Sequence, residues 1–213
     1  MKKYNLAIVD DHKLFRKGLR FLLDDIPEIN VFAEASTGEE FIELLKTCPI
    51  DIALMDINMP KMDGISATEI ATKKYNDIKI IALSMYSNEE YYDKMIDAGV
   101  KGFLLKNSDV DTLSKALKTV INGGTYFSQE LLLEILNNKK QEKNKFDANL
   151  LTSRETEILK LICKGYSNND IADELFISSR TVDKHKGNIL SKTNCKNSTS
   201  LVMYSIKNKL IEI

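Results

Sequence analysis

Five polar residues follow short apolar runs in the first half of the chain, and their types fit together chemically. Asp10 and Asp11 close Leu6-Ala7-Ile8-Val9, and Asp56 closes Ile52-Ala53-Leu54-Met55. Ser84 ends the run from Lys79 to Leu83, and Lys106 follows Phe103-Leu104-Leu105. Three carboxylates that converge repel one another and call for a cation. Hard oxygen donors with a hydroxyl nearby suit Mg²⁺, which keeps several waters and shares a phosphate. A carboxylate facing Mg²⁺ and a lysine can attack a phosphoryl donor and become an aspartyl phosphate. The metal and Lys106 would offset charge on the group in transit. Taken singly, Asp10-Asp11 would be a helix cap and Lys106 a solvated charge; all five at run ends favour a common site.

The elements that must bring them together are legible in the spacing. Between the runs, apolar residues recur at helical intervals: Leu14 to Leu22, Phe41 to Leu45, Ile65 to Ala71, Tyr91 to Ala98 and Leu113 to Ile121. With Val31-Phe32-Ala33 as a further strand, five strands alternate with five helices. That pattern predicts βαβ units and a five-stranded parallel sheet of the flavodoxin-like (βα)5 kind. Runs apolar throughout fit a sheet covered on both faces. Ligands of such sheets bind beyond the carboxyl ends of the strands, at the topological switch point.

The last third reads differently. Thr152-x-x-Glu155 is a capping box before Ile158, Leu159, Leu161 and Ile162, and Gly165 ends that helix. Ser167-x-x-Asp170 opens a second helix, Ser178 or Ser179 a third running to about Lys192, and Ser198 or Thr199 a fourth. The tight connection between the second and third has helix-turn-helix spacing. The predicted organisation is therefore α/β plus all-α. Residues 1–123 form the sheet domain, 124–148 the linker and 149–213 a four-helix module. Within the linker, Leu131 to Leu136 could form one short helix, and 137–149 read as a mobile Asn/Lys-rich stretch.

Composition excludes several classes and hides an asymmetry. With 43% apolar and 29% charged residues, the composition is that of a globular chain, and three scattered cysteines argue against a disulfide scaffold. A reducing, cytoplasmic setting is expected, with no membrane association, because no apolar run approaches a membrane span. The net charge is -1, yet residues 1–125 carry 16 Lys+Arg against 20 Asp+Glu while residues 150–213 carry 10 against 7. From Arg180 to Lys209, seven cations face only Asp183, a charge balance suited to nucleic-acid phosphates.

Two resemblances follow. Val9-Asp10-Asp11-His12, Met55-Asp56-Ile57-Asn58-Met59-Pro60-Lys61-Met62-Asp63-Gly64, Ala82-Leu83-Ser84 and Phe103-Leu104-Leu105-Lys106 closely resemble the receiver domain of two-component response regulators, over roughly residues 3–122. The resemblance implies that Asp56 is the phosphoacceptor, taking its phosphoryl group from a phosphohistidine on a sensor histidine kinase. Asp10 and Asp11 would lie near the metal, with direct ligation from Asp11, Asp56 and the backbone carbonyl of Asn58. Lys106 would contact the phosphoryl group, and Ser84 and Phe103 occupy the family's switch positions. Phe103 stands where tyrosine is commoner, so it lacks a reporting hydroxyl, and plain core packing would also account for it.

Leu151-Thr152-Ser153-Arg154-Glu155, Gly165-Tyr166-Ser167-Asn168, Ile171-Ala172 and Thr181-Val182-x-x-His185 resemble the LuxR-type helix-turn-helix. The pairing is that of the NarL/FixJ class, which implies double-stranded DNA as a partner, with the third helix in the major groove. Lys184, His185 and Asn188 share one broad face, where lysine can read guanine and Asn188 adenine. Thr181 and Lys192 are read as phosphate contacts. His185 could equally be structural, and Asp183 could accept from cytosine or face solvent. Leu201, Val202 and Tyr204 belong to a helix that could pair two modules, and a homodimer on paired half-sites is expected.

The combined expectation is a transcriptional regulator, not an enzyme, whose DNA binding and dimerisation are controlled by phosphorylation of Asp56. Two alternatives stand beside it. One is a Mg²⁺-dependent phosphohydrolase using Asp56, although Asp56-Ile57-Asn58 lacks a second acid. The other is a phosphorylation-independent regulator of the same fold. A nucleotide-binding role is disfavoured by the lack of a glycine-rich phosphate loop.

Overall fold

In a computed structural model of the chain, the described residues are 3–85, 89–128, 151–208 and 210. The short helix expected at 131–136 and the stretch 137–149 lie outside them. The first domain contains β1 (Tyr4–Val9), α1 (Lys13–Leu23), β2 (Ile29–Ala35), α2 (Gly38–Thr47) and β3 (Ile52–Asp56). It continues with α3 (Gly64–Lys74), β4 (Lys79–Ser84), α4 (Glu89–Ala98), β5 (Gly102–Leu105), α5 (Val110–Ile121) and β6 (Tyr126–Phe127). Among the described residues the second has four helices: α6 (Ser153–Cys163), α7 (Asn168–Glu174), α8 (Ser179–Thr193) and α9 (Ser198–Lys207).

The sheet is parallel, in the order β2-β1-β3-β4-β5-β6. Its reversal point lies between β1 and β3, whose carboxyl ends carry Asp10 and Asp56. Among the described residues the sheet has six strands rather than five. The added β6 pairs Tyr126 with Gly102 and Phe127 with Phe103, inside the stretch read from sequence as linker. Two residues are too few to show a strand period, so this edge was invisible to pattern.

Strand alternation divides the core. Leu6, Ile8, Ile52, Leu54, Ile81 and Leu83 face one way, onto α1 and α5. Ala7, Val9, Ala53, Met55, Ile80 and Ala82 face the other, toward α2, α3 and α4. This second apolar cluster continues without a break into Ile158, Ile171, Val182, Ile189 and Leu201 of the second domain.

Local signals account for the element ends. Thr37, Asp63, Asp109, Ser178 and Asn197 each accept a hydrogen bond from the backbone N–H three residues ahead. The capping boxes of Thr152 with Glu155 and of Ser167 with Asp170 both form. The fourth module helix is capped by Asn197 and not by Ser198 or Thr199. In the loop after β3, Lys61 takes the left-handed conformation (φ 67). Gly64 is required there for a different reason: a Cβ would lie 1.9 Å from the carbonyl oxygen of Asp56. The loop can therefore close directly beneath the acidic end of β3.

Candidate functional site

Of the polar residues predicted to converge, the side chains of Asp10, Asp11, Asp56 and Lys106 come together. The Lys106 Nζ lies 2.6 Å from Asp10 Oδ2 and 2.9 Å from Asp56 Oδ2, with all three side chains almost entirely buried. Adjacent parallel strands place their last residues side by side, which turns sequence neighbours of four separate runs into one pocket. The Asp10 Oδ1 accepts the backbone N–H of His12 at 2.8 Å. The Lys106 ammonium also lies over the ring of Phe15, with Nζ 5.0 Å from its centroid. Burial pushes the Asp56 carboxyl above its ordinary range; the Lys106 hydrogen bond and charge pull against this, and Asp10 adds to the rise.

One buried ammonium does not balance this many carboxylates. Asp10, Asp11, His12 and Asp56 each offer a donor atom, all within 4.8 Å of one another. The three carboxylates suit a hard divalent cation. His12 was not singled out from sequence. Its Nδ1 sits 2.9 Å from Asp11 Oδ1 and 3.1 Å from Asp10 Oδ1, tying the outer acid to the inner one. Arg16 Nη1 donates to the backbone carbonyl of Asp10, a helix-to-strand contact with no sequence signature.

Ser84 is buried at the end of β4, and its carbonyl oxygen accepts the Lys106 N–H at 2.7 Å. Phe103 points inward and is fully buried, its ring 4.6 Å from that of Tyr92 in an edge-to-face arrangement at 85°. Pro60 and Asn58 are exposed on the loop above Asp56.

On α8, Lys184 and Asn188 are exposed and His185 is half-buried. The remaining predicted contacts have partners within the protein. Thr181 belongs to the N-cap, its N–H 3.1 Å from Ser178 Oγ and its Oγ1 2.7 Å from the same atom. Lys192 Nζ sits 2.7 Å from the buried Glu155 Oε2. Burial opposes the charged form of Glu155. The hydrogen bonds from Lys192 and Thr152 outweigh it and hold the carboxyl below its ordinary range.

Asp183 is exposed and accepts from Asn168 Nδ2 on α7. Lys186 donates to Asn168 Oδ1 at 3.2 Å, and Lys196 pairs with Asp97 at 2.6 Å. The seven cations counted from sequence thus include three with partners inside the chain. Leu201 and Val202, read as a pairing face, are core residues at 0% and 3% exposure, and only Tyr204 of that trio keeps partial exposure. Gly187 is open: a Cβ there would meet nothing within 4 Å.

Comparison with known proteins accounts for both halves. The response regulator receiver domain family matches residues 6–118, and the family of bacterial regulatory proteins, luxR family, matches residues 149–205. A transcriptional regulatory protein DegU from Brevibacillus brevis is 37% identical over 99% of this chain and 96% of its own length. An oxygen regulatory protein NreC from Staphylococcus carnosus is 36% identical over 97% of this chain and 99% of its own. Among solved structures, the response regulator ChrA of a heme-sensing two-component system is 31% identical with a TM-score of 0.56, covering 99% of this chain and 100% of that one. RcsB from Salmonella enterica serovar Typhimurium, bound to a promoter with a phosphomimetic, is 25% identical with a TM-score of 0.59, covering 97% and 99%. No helix among the described residues is long and apolar enough to cross a membrane. With a receiver fold around the acidic pocket and a helix-turn-helix behind it, the chain belongs to the two-component response regulators that carry a LuxR-type DNA-binding module.

Proposed function

We propose that Asp56 accepts the phosphoryl group of a sensor histidine kinase in the cytoplasm, and that this changes how the C-terminal module dimerises on and binds double-stranded DNA. The observation that carries the reading is the Lys106 ammonium, buried between Asp10 and Asp56 at 2.6 and 2.9 Å. A carboxylate oxygen of Asp56 attacks the phosphorus of the donor phosphohistidine. The O–P bond forms as the P–N bond breaks, and the imidazole leaves with the bonding pair. Lys106 moves its contact from the carboxylates to the new phosphoryl oxygens. Asp11, Asp56 and the backbone carbonyl of Asn58 would hold Mg²⁺, with Asp10 beside them. When bound, the ion supplies positive charge at the transferring group. Ser84 and Phe103 would report the new charge by moving toward it.

On DNA, Lys184 and Asn188 are best exposed for base contact, with His185 beside them. Thr181 and Lys192 would reach phosphates only by leaving their present partners. The test is labelling with acetyl phosphate and Mg²⁺. The parent should take up one phosphoryl group and Asp56→Asn none; equal labelling of both would remove Asp56 from the role. DNA affinity should fall steeply with added salt, and a salt-independent affinity would remove the phosphate-dominated interface.

A further inference from the structure

His12 holds the N-cap position of α1, yet its side chain does not cap the helix. It makes no hydrogen bond to the backbone ahead, whereas Thr37, Asp63, Asp109, Ser178 and Asn197 each do so at their own helices. The ring turns back toward the acids instead, although 65% of the side chain is exposed and little packing constrains it. Its Nδ1 lies 2.9 Å from Asp11 Oδ1 and 3.1 Å from Asp10 Oδ1. The backbone N–H of the same residue donates to Asp10 Oδ1 at 2.8 Å and fixes the approach. Lys106 takes the other side of the pocket, at Oδ2 of Asp10 and Oδ2 of Asp56. An ammonium and an imidazole therefore address different oxygens of the same acidic group.

Donor atoms at neighbouring corners of an octahedron with bonds of about 2.1 Å lie about 3 Å apart. The spacings of His12 Nδ1 from Asp10 and Asp11 match that figure, and with Asp56 the four donors all lie within 4.8 Å of one another. Mg²⁺ prefers oxygen and water and gains little from an imidazole. Later first-row ions accept nitrogen and carboxylate oxygen together. Resting on the reading of this pocket as a cation site, we infer that His12 is a ligand to a divalent transition ion of the iron-to-zinc part of the series. It thereby sets the pocket's choice between such an ion and Mg²⁺. The neutral ring binds through the Nδ1 lone pair. With Mg²⁺ the ring remains a hydrogen-bonding neighbour of the acids and gives no ligand. One receiver thus has two loadings, an all-oxygen one and a mixed nitrogen and oxygen one.

The experiment titrates Co²⁺ and Mg²⁺, singly and in competition, into the full chain, His12→Asn and Asp11→Asn, and records proton NMR of the Co²⁺-loaded proteins. Asparagine is among the best N-caps, so His12→Asn should keep α1 folded, which circular dichroism checks. In that variant the ratio of Co²⁺ to Mg²⁺ affinity should fall by about tenfold or more, the scale on which even an outer partner of a metal ligand is felt. Loaded parent should show imidazole signals strongly shifted by the paramagnetic ion, and His12→Asn should lose them. The chain has only two histidines, His12 and His185, so shifted signals that persist in the variant come from His185 and would overturn the proposal. An unchanged affinity ratio would overturn it as well. So would the absence of shifted imidazole signals from the loaded parent, a result that does not depend on any variant folding. Asp11→Asn should weaken both ions. If the parent binds neither ion, or Asp11→Asn binds both as the parent does, the cation-site reading itself falls and the role of His12 falls with it.

Discussion

The pocket at the end of the sheet and the exposed side of α8 are both charged, yet their charges live under opposite conditions. In the pocket, Asp10, Asp56 and Lys106 are removed from water and locked to each other at 2.6 and 2.9 Å. On α8, Lys184 and Asn188 stand in solvent. Buried charges interact strongly and depend on every partner. Exposed ones contribute little until phosphates approach, and salt then screens them. The lesson is that the pocket should behave as a unit, whereas the helix face should behave as a sum of nearly independent contacts.

Four outcomes would break or sharpen that contrast. The largest concerns Lys106. Its replacement by Ala leaves two buried carboxylates unmatched and should cost about 3 kcal/mol of stability without metal, read as a lowered denaturant midpoint in chelator. Under the same conditions Asp56→Asn should be as stable as the parent or more so. Burial raises the Asp56 pKa above the unfolded value, so its ionisation opposes folding at neutral pH. If both variants lose stability equally, the pocket is not a coupled unit. Next in size, Lys184→Ala should cost about 1–3 kcal/mol in DNA affinity and lower the salt slope by about one. A loss that grows when combined with Asn188→Ala, beyond the sum of the two, would show that the face is coupled after all.

A smaller effect tests the boundary between the two regimes. Lys192 stands at the edge of α8 but is tied to Glu155 inside the module. Glu155→Gln should cost about 1–2 kcal/mol, because the Lys192 head keeps access to water. The Glu155 pKa is held below its ordinary value. Its contribution is therefore complete above that value and lost as pH falls through the lowered one. Acid unfolding followed by circular dichroism should show a flatter pH dependence for the variant in that range. The smallest outcome belongs to Gly187, whose added Cβ meets nothing. Gly187→Ala should stabilise the module by about 1 kcal/mol. Unchanged DNA affinity would mean that no backbone approach is used there.

Residue type and order alone determined a good deal about this chain. Each strand run is a continuous local pattern, so the ends that carry Asp10, Asp56, Ser84 and Lys106 could be located from sequence, and parallel pairing then brings them together. The capping boxes at Thr152 and Ser167 are equally local, because donor and acceptor are three residues apart. Other features depend on contacts across tens of residues and carry no period. Only the tertiary structure decided that β6 extends the sheet, that His12 bridges two acids, and that Lys192 and Lys196 spend their charge inside the chain. The same holds for α9. Leu201, Val202 and Tyr204 show an apolar face, but an apolar face does not say what covers it. Packing assigned Leu201 and Val202 to the module core and turned Met203 and Tyr204 toward α4. A sequence specifies which surfaces must leave water; which surface each of them meets is settled by the competition among all the others at once.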